Sequence, residues 1–408
     1  MIVEKGILRA INATTYRATV QMWPSLSVYL ENIPVNTAIP ASELIVGRSV
    51  AVLSFDPSNY LDRVVVAVWV DGTAPIGPPV RTASVVLAAS DSSALAKAQS
   101  DRTCDATDVK ADGAWAMTQL ATEGGIIHFL PGTYNYTTLL QTDRTGIIIE
   151  GGGMGEGGTY FRFTATGGIE LKHFGCRLAN FSTRWGNPGI LVDNGTSGIE
   201  LENIYSRYAT IALRLSTQYG ITIKNLIIDN ARSIGVDVVN PCTMLDWTYG
   251  RIVNDTGAAY AGAIGLRVAG AGYATAISLR KINFSGSAAD SQIGMELARC
   301  ADLFAEGCYF EGNKDHVMVN GVNASNLAQK IVLKSCYWDM PSDGTHRYGV
   351  YGDYADGLVI EDPHFNGGDH ANTFHIYITA NAIKPAIKRP LITNATARIT
   401  NLAPIVAL

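Results

Sequence analysis

The sequence predicts an all-β protein whose main part is a parallel β-helix, and three observations support that fold class. The stretch GIELENIYS, which starts at Gly198, returns in altered form as GITIKNLII from Gly220. Forty-one glycines are spread along the 408 residues, as expected for many short strands joined by turns. Charges at equivalent positions of the repeat alternate in sign, as they would if the copies were stacked on one another.

The repeat consists of an apolar-x-x-apolar-x-apolar motif that is followed by a second short strand. Copies of the motif begin at Leu178, Leu201, Ile223, Leu245, Leu279, Ala305, Leu333 and Ile360. A spacing of about 25 residues with period-two alternation is typical of a β-solenoid in which each repeat makes one coil. We therefore expect about nine coils, with stacked strands about 4.8 Å apart.

Stacking of the coils predicts columns of side chains. In the first strand of each coil the outward charges are those of Glu202, Lys224, Asp246, Arg280, Glu306, Lys334 and Glu361. In the second strand they are those of Arg214, Asp237, Arg267 and Glu296. Each interior charge then lies between two opposite charges, so most of these carboxylates are interpreted as ladder members rather than as catalytic groups. Asn180, Asn203 and Asn225 predict a stack of side-chain amides at a bend.

The segments before the repeat have a different character. Residues 1–71 contain five short alternating strands, which predict a small antiparallel barrel of the OB-like type. Residues 72–104 begin with the Pro/Gly-rich stretch DGTAPIGPPV and are predicted to be a linker. A helix that starts near Thr107 or Asp108 is expected to cover the first coil. It opens a β-helix domain of residues 105–385, and residues 386–408 form a C-terminal exit segment.

Composition excludes several classes of function. Hydrophobic residues make up 47% of the chain and charged residues 16%, which argues against disorder. The net charge of −5 without a basic block argues against a nucleic-acid partner. No apolar run is long enough to span a membrane, and the N-terminus lacks the apolar segment of a signal peptide. The six scattered cysteines are interpreted as buried free thiols, with a disulfide between Cys308 and Cys336 as the alternative.

Two parts of the chain resemble known phage proteins. The segments SDSSALAKAQSDRTCDATD, GGIIHFLPGTYNY and TGIIIEGGG resemble the N-terminal cap and first turns of pectate-lyase-like right-handed parallel β-helix proteins, which include bacteriophage tailspikes and fibres. The segment VGRSVAVLSFDPSNYLDRVVVAVW resembles the OB-like barrels of phage tail-tip and baseplate proteins. The resemblance implies a homotrimeric virion appendage that is assembled in the host cytoplasm and acts outside the host cell. Such a protein would contact host surface polysaccharide and attach to other virion proteins through its N-terminal barrel.

Catalysis is left open by the sequence. The N-T-D, D-D, G-H-G and R-I-K motifs of pectin-cleaving β-helix enzymes are absent, so their catalytic residues do not transfer to this chain. Glycoside hydrolysis needs two carboxyl groups, and the turn residues Asp229, Asp290 and Asp255 are the candidates. Aspartate is also an ordinary residue of β-turns, which is the alternative explanation. The compact repeats favour glycan recognition, with a glycan depolymerase as the second hypothesis.

Sugar binding calls for aromatic faces and hydrogen-bond donors. The turn STRWGNPG supplies Arg184 and Trp185, and the long turn 250–263 supplies Tyr260. These three are the predicted binding residues, and packing between coils is the alternative role for Arg184 and Trp185. No cofactor and no metal are predicted.

Overall fold

The computed structural model describes residues 2–22, 28–55, 62–68, 84–155, 157–164, 166–193, 195–216, 218–239, 241–255, 257–287, 291–340, 345–368, 370–371, 373–396 and 398–403. Contacts divide the chain into two units, residues 1–80 and residues 81–408.

The first unit is a five-stranded antiparallel sheet. Its strands are β1 (Ile2–Asn12), β2 (Arg17–Met22), β3 (Tyr29–Pro34), β4 (Ser49–Ser54) and β5 (Arg63–Val68). They are ordered β3-β2-β1-β4-β5, and the edge strands approach each other where Asn36 N donates to Val65 O at 2.9 Å. Leu8, Val20 and Val52 lie in its apolar core because alternate strand residues face inward. The five predicted strands are thus confirmed, and the OB-like identity of the unit stays a prediction.

The second unit contains the β-helix. Its first strands are β6 (Ser84–Ala88), β7 (Arg102–Thr103), β8 (Gly125–Phe129), β9 (Gly132–Tyr136), β10 (Leu139–Gln141), β11 (Ile147–Gly151), β12 (Thr159–Phe163), β13 (Gly168–Leu171), β14 (Arg177–Arg184), β15 (Ile190–Val192), β16 (Ser197–Arg207), β17 (Ile211–Leu215), β18 (Gln218–Asp229), β19 (Ile234–Val238) and β20 (Cys242–Val253). The remaining strands are β21 (Ile264–Val268), β22 (Ala274–Ser285), β23 (Ile293–Leu297), β24 (Cys300–Glu306), β25 (Tyr309–Glu311), β26 (Asp315–Asn320), β27 (Ala328–Lys334), β28 (Tyr337–Met340), β29 (Tyr348–Asp353), β30 (Ala355–Asp356), β31 (Val359–Glu361), β32 (His364–Gly367), β33 (Phe374–Ile378), β34 (Ala386–Lys388), β35 (Leu391–Thr393) and β36 (Ile399–Asn401).

These strands stack in parallel, coil on coil. Within the described residues they form one 20-stranded sheet, called here the long sheet, and one 11-stranded sheet, called the short sheet. The predicted fold class, an all-β chain with a parallel β-helix after a small antiparallel sheet, is confirmed.

The β-helix extends beyond the segment expected from the sequence. Strand β6 lies within the predicted linker 72–104, yet it pairs with β8 of the first coil. Strands β34, β35 and β36 lie wholly in the predicted exit segment, yet they pair with β31, β32 and β33. Both segments satisfy their backbone hydrogen bonds by stacking on the neighbouring coil.

Two helices precede the first complete coil. Helix α1 (Ala94–Gln99) was not predicted, and its N-cap Ser93 accepts a hydrogen bond from Ala96 N at 3.1 Å. The predicted helix is α2 (Lys110–Thr118), which packs against β6, β8 and β10. The residue at its N-terminal boundary is Val109, and Asp108, one of the two predicted caps, accepts a hydrogen bond from Lys110 N at 3.1 Å. None of the helices in the described part of the chain is long and apolar enough to cross a membrane.

The asparagine stack lies at a bend of the long sheet, as predicted. Asn203 Nδ2 donates to Asn180 Oδ1, and Asn225 Nδ2 donates to Asn203 Oδ1, each at 2.9 Å. All three residues have φ between 52° and 61°, a left-handed conformation that asparagine tolerates. The column continues through Tyr249 and Lys281, so the bend persists after the asparagines end.

One predicted charge column needs a correction. Glu202 aligns with Lys224, and Arg280 aligns in turn with Glu306, as expected. Asp246, however, aligns with Thr222 and Ser278, and Thr248 stands between Lys224 and Arg280. The prediction aligned Leu245 with Ile223. In the structure the inward residue that aligns with Ile223 is Trp247, so the outward residues after it are shifted by two. A Cβ at Gly250 would lie 2.7 Å from Trp247 Nε1, so glycine there makes room for the indole.

The charge column of the short sheet is confirmed. Asp237 is fully buried, and its carboxylate binds Arg214 at 3.0 Å and Arg267 at 2.9 Å. Cys308 and Cys336 are buried free thiols, so the disulfide alternative is not realised. They belong to the continuous apolar core that fills the described coils.

Candidate functional site

Three arginines form a column on the outer face of the long sheet. Arg162 of β12 aligns with Arg184 of β14, and Arg184 aligns with Arg207 of β16. Asn135 precedes them in register and Asp229 follows them. Stacked strands place successive members about 4.8 Å apart along the helix axis. We call Arg162, Arg184 and Arg207 the arginine column.

Aromatic rings lie between these guanidinium groups. The guanidinium carbons of Arg162 and Arg184 each lie 4.6 Å from the centre of the Trp185 ring. Those of Arg184 and Arg207 lie 5.0 Å and 5.1 Å from the Tyr208 ring. Cation–π contacts of this kind hold a guanidinium flat against a ring.

The backbone turns Trp185 and Tyr208 outward at the end of their strands. Trp185 has φ 65° and Tyr208 has φ 56°, and the next coil has Asn230 at the matching bend with φ 60°. Left-handed backbone is unfavourable for bulky residues and is enriched at functional sites. The two rings therefore occupy positions where asparagine or glycine would cause less backbone strain.

The larger of two clefts opens beside the arginine column. Its volume is about 500 Å³, and Arg184, Arg207, Tyr160, Ser182 and Tyr205 line one side. The cleft is also lined by Gly155, Gly157 and Gly158 and by the segments 91–93 and 131–133. The cleft thus offers hydroxyl and guanidinium donors together with aromatic faces.

The glycine-rich turn shapes this cleft without forming a phosphate cradle. Gly155 and Gly157 each have φ 89°, which favours glycine, and a Cβ at either would point into open space. Gly155 N donates to Ser182 Oγ at 2.8 Å, and Gly158 N donates to Gly155 O at 3.2 Å. Amides that are bonded internally are not available to a phosphate.

Trp185 lines a second, smaller cleft. Its volume is about 280 Å³, and it is lined by Arg162, Trp185, Asn135 and Thr107 among others. Arg184 thus lines the larger cleft, and Trp185, on which its guanidinium stacks, lines the smaller one. Such convergence of aromatic and polar groups in clefts is typical of ligand sites.

Asp229 is already occupied by protein partners. Its Oδ2 accepts a hydrogen bond from the Tyr205 hydroxyl at 2.6 Å, and its Oδ1 pairs with Arg251 at 3.2 Å. Burial and the hydrogen bond to Asp229 raise the pKa of Tyr205 to about 12. Tyr205 therefore presents a protonated hydroxyl to the larger cleft at neutral pH, which makes it a donor and a poor base.

Asp255 and Tyr260 line neither of the two clefts. Asp255 is exposed and exchanges two hydrogen bonds of 2.7 Å with Asn230. Tyr260 ends a short 3₁₀ helix, Ala258–Tyr260, in the long turn after β20. Asp290 lies outside the described residues. Of the predicted set, Arg184 and Trp185 are in contact, and Asp229 reaches the larger cleft through Tyr205.

Sequence analysis missed Arg162 and Arg207 as site residues, although a signal was present. The stretches YFRF, STRW and YSRY place an arginine at the same register in three coils. The columns predicted for the first strand of each coil end at the asparagine bend, whereas Arg184 and Arg207 lie four residues after Asn180 and Asn203.

A pair of carboxylates faces outward at the other end of the same sheet face. Glu311 of β25 aligns with Asp339 of β28, and no other two carboxylates align in the paired strands that the structure describes. Tyr309 and Tyr337 stack beside them with ring centres 5.0 Å apart. Burial, then Glu311 and Asp339, raise the pKa of Tyr309 to about 12.

Groups of three or more metal-ligating side chains do not occur among the described residues. No protein-family model matches the chain, and no curated protein matches it.

Several solved structures have a similar fold. ORF18 of Geobacillus virus E2 matches at 11% identity and a TM-score of 0.40, over 71% of this chain and 59% of the viral protein. The A-module of mannuronan C-5 epimerase AlgE6 from Azotobacter vinelandii matches at 13% identity and a TM-score of 0.44, over 70% of this chain and 95% of the module. The catalytic domain of a GH87 α-1,3-glucanase in complex with nigerose matches at 11% identity and a TM-score of 0.44, over 82% of this chain and 70% of that domain. The chain therefore spans less than two thirds of the length of the viral protein.

Proposed function

We propose that the protein recognises a glycan on a host cell surface through the two clefts that are lined by Arg184 and by Trp185. In this proposal it is a bacteriophage tailspike or fibre protein, and the β-helix is its recognition part. Residues 1–71 attach it to other virion proteins, and the working unit is a homotrimer outside the host cell. The resemblance of the first coils to phage tailspikes supports the virion role.

The observation that carries glycan recognition is the placement of Trp185. Its ring lies between Arg162 and Arg184 and lines the cleft of about 280 Å³, while Arg184 lines the cleft of about 500 Å³. An aromatic face packs against the apolar face of a sugar ring, and neighbouring guanidinium and hydroxyl groups donate hydrogen bonds to its oxygens.

Recognition is favoured over catalysis in these clefts because their carboxylates are engaged. Asp229 accepts from Tyr205 and pairs with Arg251. Asp91, which lines the larger cleft, accepts from Thr133 N at 2.8 Å. Glycoside hydrolysis needs one carboxyl as acid and a second as nucleophile or base, and neither role suits a carboxylate held by such partners.

The test is binding of the purified protein to envelope polysaccharide from host cells. Trp185→Ala should weaken binding by about tenfold or more, because an aromatic anchor in a cleft carries 1–3 kcal/mol or so. Tyr219→Ala is the matched control, since Tyr219 is 57% exposed and lies outside both clefts. Equal binding by Trp185→Ala and the wild type would contradict the proposed site.

The second candidate function is depolymerisation of the same polysaccharide. It is favoured by the alignment of Glu311 with Asp339, since residues one coil apart stand near the ~5–5.5 Å separation of retaining glycosidases. Asp229 and Asp290 remain the candidates named from the sequence. Release of reducing ends or unsaturated sugars would be measured for the wild type, Glu311→Gln, Asp339→Asn and the double variant Asp229→Asn with Asp290→Asn. If Glu311→Gln and Asp339→Asn lose the activity while the double variant keeps it, catalysis is assigned to Glu311 and Asp339.

A further inference from the structure

We infer that the ligand of the arginine column is an anionic glycan, whose carboxylate or sulfate groups are bound by Arg162, Arg184 and Arg207. This inference rests on the proposed function and names the chemical class of its ligand. The ligand chain would run along the helix axis, because the three arginines succeed one another coil by coil.

The first argument is that the arginine column breaks the charge rule of this β-helix. In most other charged columns the signs alternate, as in the column of Glu306, Lys334 and Glu361, or in the burial of Asp237 between two arginines; the aligned pair of Glu311 and Asp339 is another exception. Like charges directly opposite one another on neighbouring strands are destabilising. Three arginines in succession therefore carry a cost that the alternating columns do not have.

The second argument is that the described residues give these arginines no carboxylate partner. No carboxylate lies within salt-bridge distance of Arg162, Arg184 or Arg207 in that part of the chain, although Arg177, on the same strand as Arg184, pairs with Glu202. The Nε atoms of Arg184 and Arg207 are buried and have no acceptor. The positive charge of the column is thus left for a ligand to neutralise.

The carboxylate next in the column does not fill that role. Asp229 follows Arg207 in register, but its two oxygens bind the Tyr205 hydroxyl and Arg251. Both oxygens of Asp229 therefore have protein partners, and Arg207 lines the larger cleft without an ion pair to it.

The third argument is the orientation of the guanidinium groups. Arg162 and Arg184 both approach the face of Trp185, and Arg184 and Arg207 both approach Tyr208. Stacking on rings restrains the guanidinium planes and leaves N–H groups at their edges for hydrogen bonding. A planar fork of N–H donors matches the two oxygens of a carboxylate or sulfate, which is why arginine is preferred in such sites.

The experiment compares pairs of glycans that differ in charge alone. One pair is an oligogalacturonate and its fully methyl-esterified form, and the other is dextran sulfate and dextran of the same length. Binding to wild type, Arg184→Gln, Arg184→Lys and Arg389→Gln is measured by titration at two salt concentrations. Arg389→Gln removes the same charge from a residue 68% exposed on the last described coil, where it pairs with Glu361 and Asp362.

The expected result is that at least one acidic glycan binds about tenfold or more tightly than its neutral counterpart, with the affinity falling as salt rises. Arg184→Gln should remove that preference, Arg184→Lys should restore part of it, and Arg389→Gln should leave it unchanged. The pair that shows the preference tells carboxylate from sulfate. Unchanged melting temperatures of the variants would exclude misfolding as the cause.

Two results would overturn the inference. One is that neither acidic glycan binds more tightly than its neutral partner. The other is that Arg184→Gln and Arg389→Gln have the same effect. Glycan recognition itself would survive either result if host polysaccharide still binds and Trp185→Ala still weakens it. Failure of the host polysaccharide to bind would instead overturn the proposed function.

Discussion

Single residues in this β-helix are placed by the bends as much as by the strands. Trp185 and Tyr208 project from left-handed positions, and so can contact arginines of neighbouring coils. The sequence indicated Trp185 because a tryptophan in a turn is conspicuous. The sequence did not indicate Tyr208, because the role of this tyrosine is to contact Arg184, which belongs to the preceding coil.

For single residues, the sequence-based predictions were right where the residue type has few alternative structural roles. The asparagine stack was predictable because asparagine tolerates left-handed backbone and its amide can both donate and accept. The occupancy of Asp229 was not predictable, because its partners Tyr205 and Arg251 come from the coils before and after it.

A buried histidine leads to a prediction on acid stability. His316 is fully buried, and its ring stacks on that of His346 with the ring centres 5.6 Å apart. Among the described residues neither of its ring nitrogens has a hydrogen-bond partner. Burial and the neighbouring His346 hold the pKa of His316 well below 6.5. Below about pH 6.5 the unfolded chain therefore binds a proton that the folded chain does not, so stability is lost as pH falls.

For this single proton the slope is at most about 1.4 kcal/mol per pH unit. Phenylalanine takes up no proton. His316→Phe should therefore reduce the loss in free energy of unfolding by up to about 1.4 kcal/mol for each pH unit between pH 6.5 and pH 5. Urea unfolding of both proteins at several pH values is the measurement. Parallel stability curves for the two proteins would contradict the prediction.

At the scale of elements, strand register was predictable except where a large core residue intervened. The alternation of charge placed six of the seven predicted residues in one column and misplaced Asp246, because a period-two pattern looks the same after a shift of two residues. At β20 the predicted register is shifted by two residues. Gly250 stands there where the neighbouring coils have Leu226 and Ile282, because the indole of Trp247 takes up that space.

The corrected register predicts a stabilising substitution. Thr248 stands between Lys224 and Arg280, so Thr248→Glu would complete the alternation of charge. Each exposed cross-strand pair contributes about 0.2–1 kcal/mol, so the variant should be more stable than Thr248→Gln by about 0.5–1 kcal/mol at low salt.

Thr248→Gln is the matched control because it adds the same length of side chain without the charge. Denaturation in urea at low and high salt would show whether the difference is electrostatic, since screening should reduce it. Equal stability of the two variants at low salt would mean that position 248 does not lie in the charge column.

At the scale of the molecule, the division into residues 1–80 and 81–408 suggests separate unfolding. Each unit has its own apolar core within the described residues, and neither core shares a member with the other. Domains with separate cores tend to unfold independently. The solenoid was predictable because its repeat is written many times in the sequence, whereas the extent of its first and last coils was not, because terminal repeats deviate from the pattern.

Calorimetry of the whole chain should therefore show two transitions. A protein of residues 81–408 should keep one of them at an unchanged temperature, because its core does not need the first unit. Its mass in solution, compared with the mass of one chain of residues 81–408, would also tell whether the β-helix associates without residues 1–80. A single transition of the whole chain that shifts on truncation would contradict independent folding.

The distance between neighbouring arginines of the column is fixed by main-chain pairing of β12, β14 and β16, not by the side chains themselves. A point mutation therefore cannot change the spacing of the positions along this column. A new ligand spacing would require the gain or loss of an entire coil, so this lineage would be expected to change its ligand in whole-coil steps.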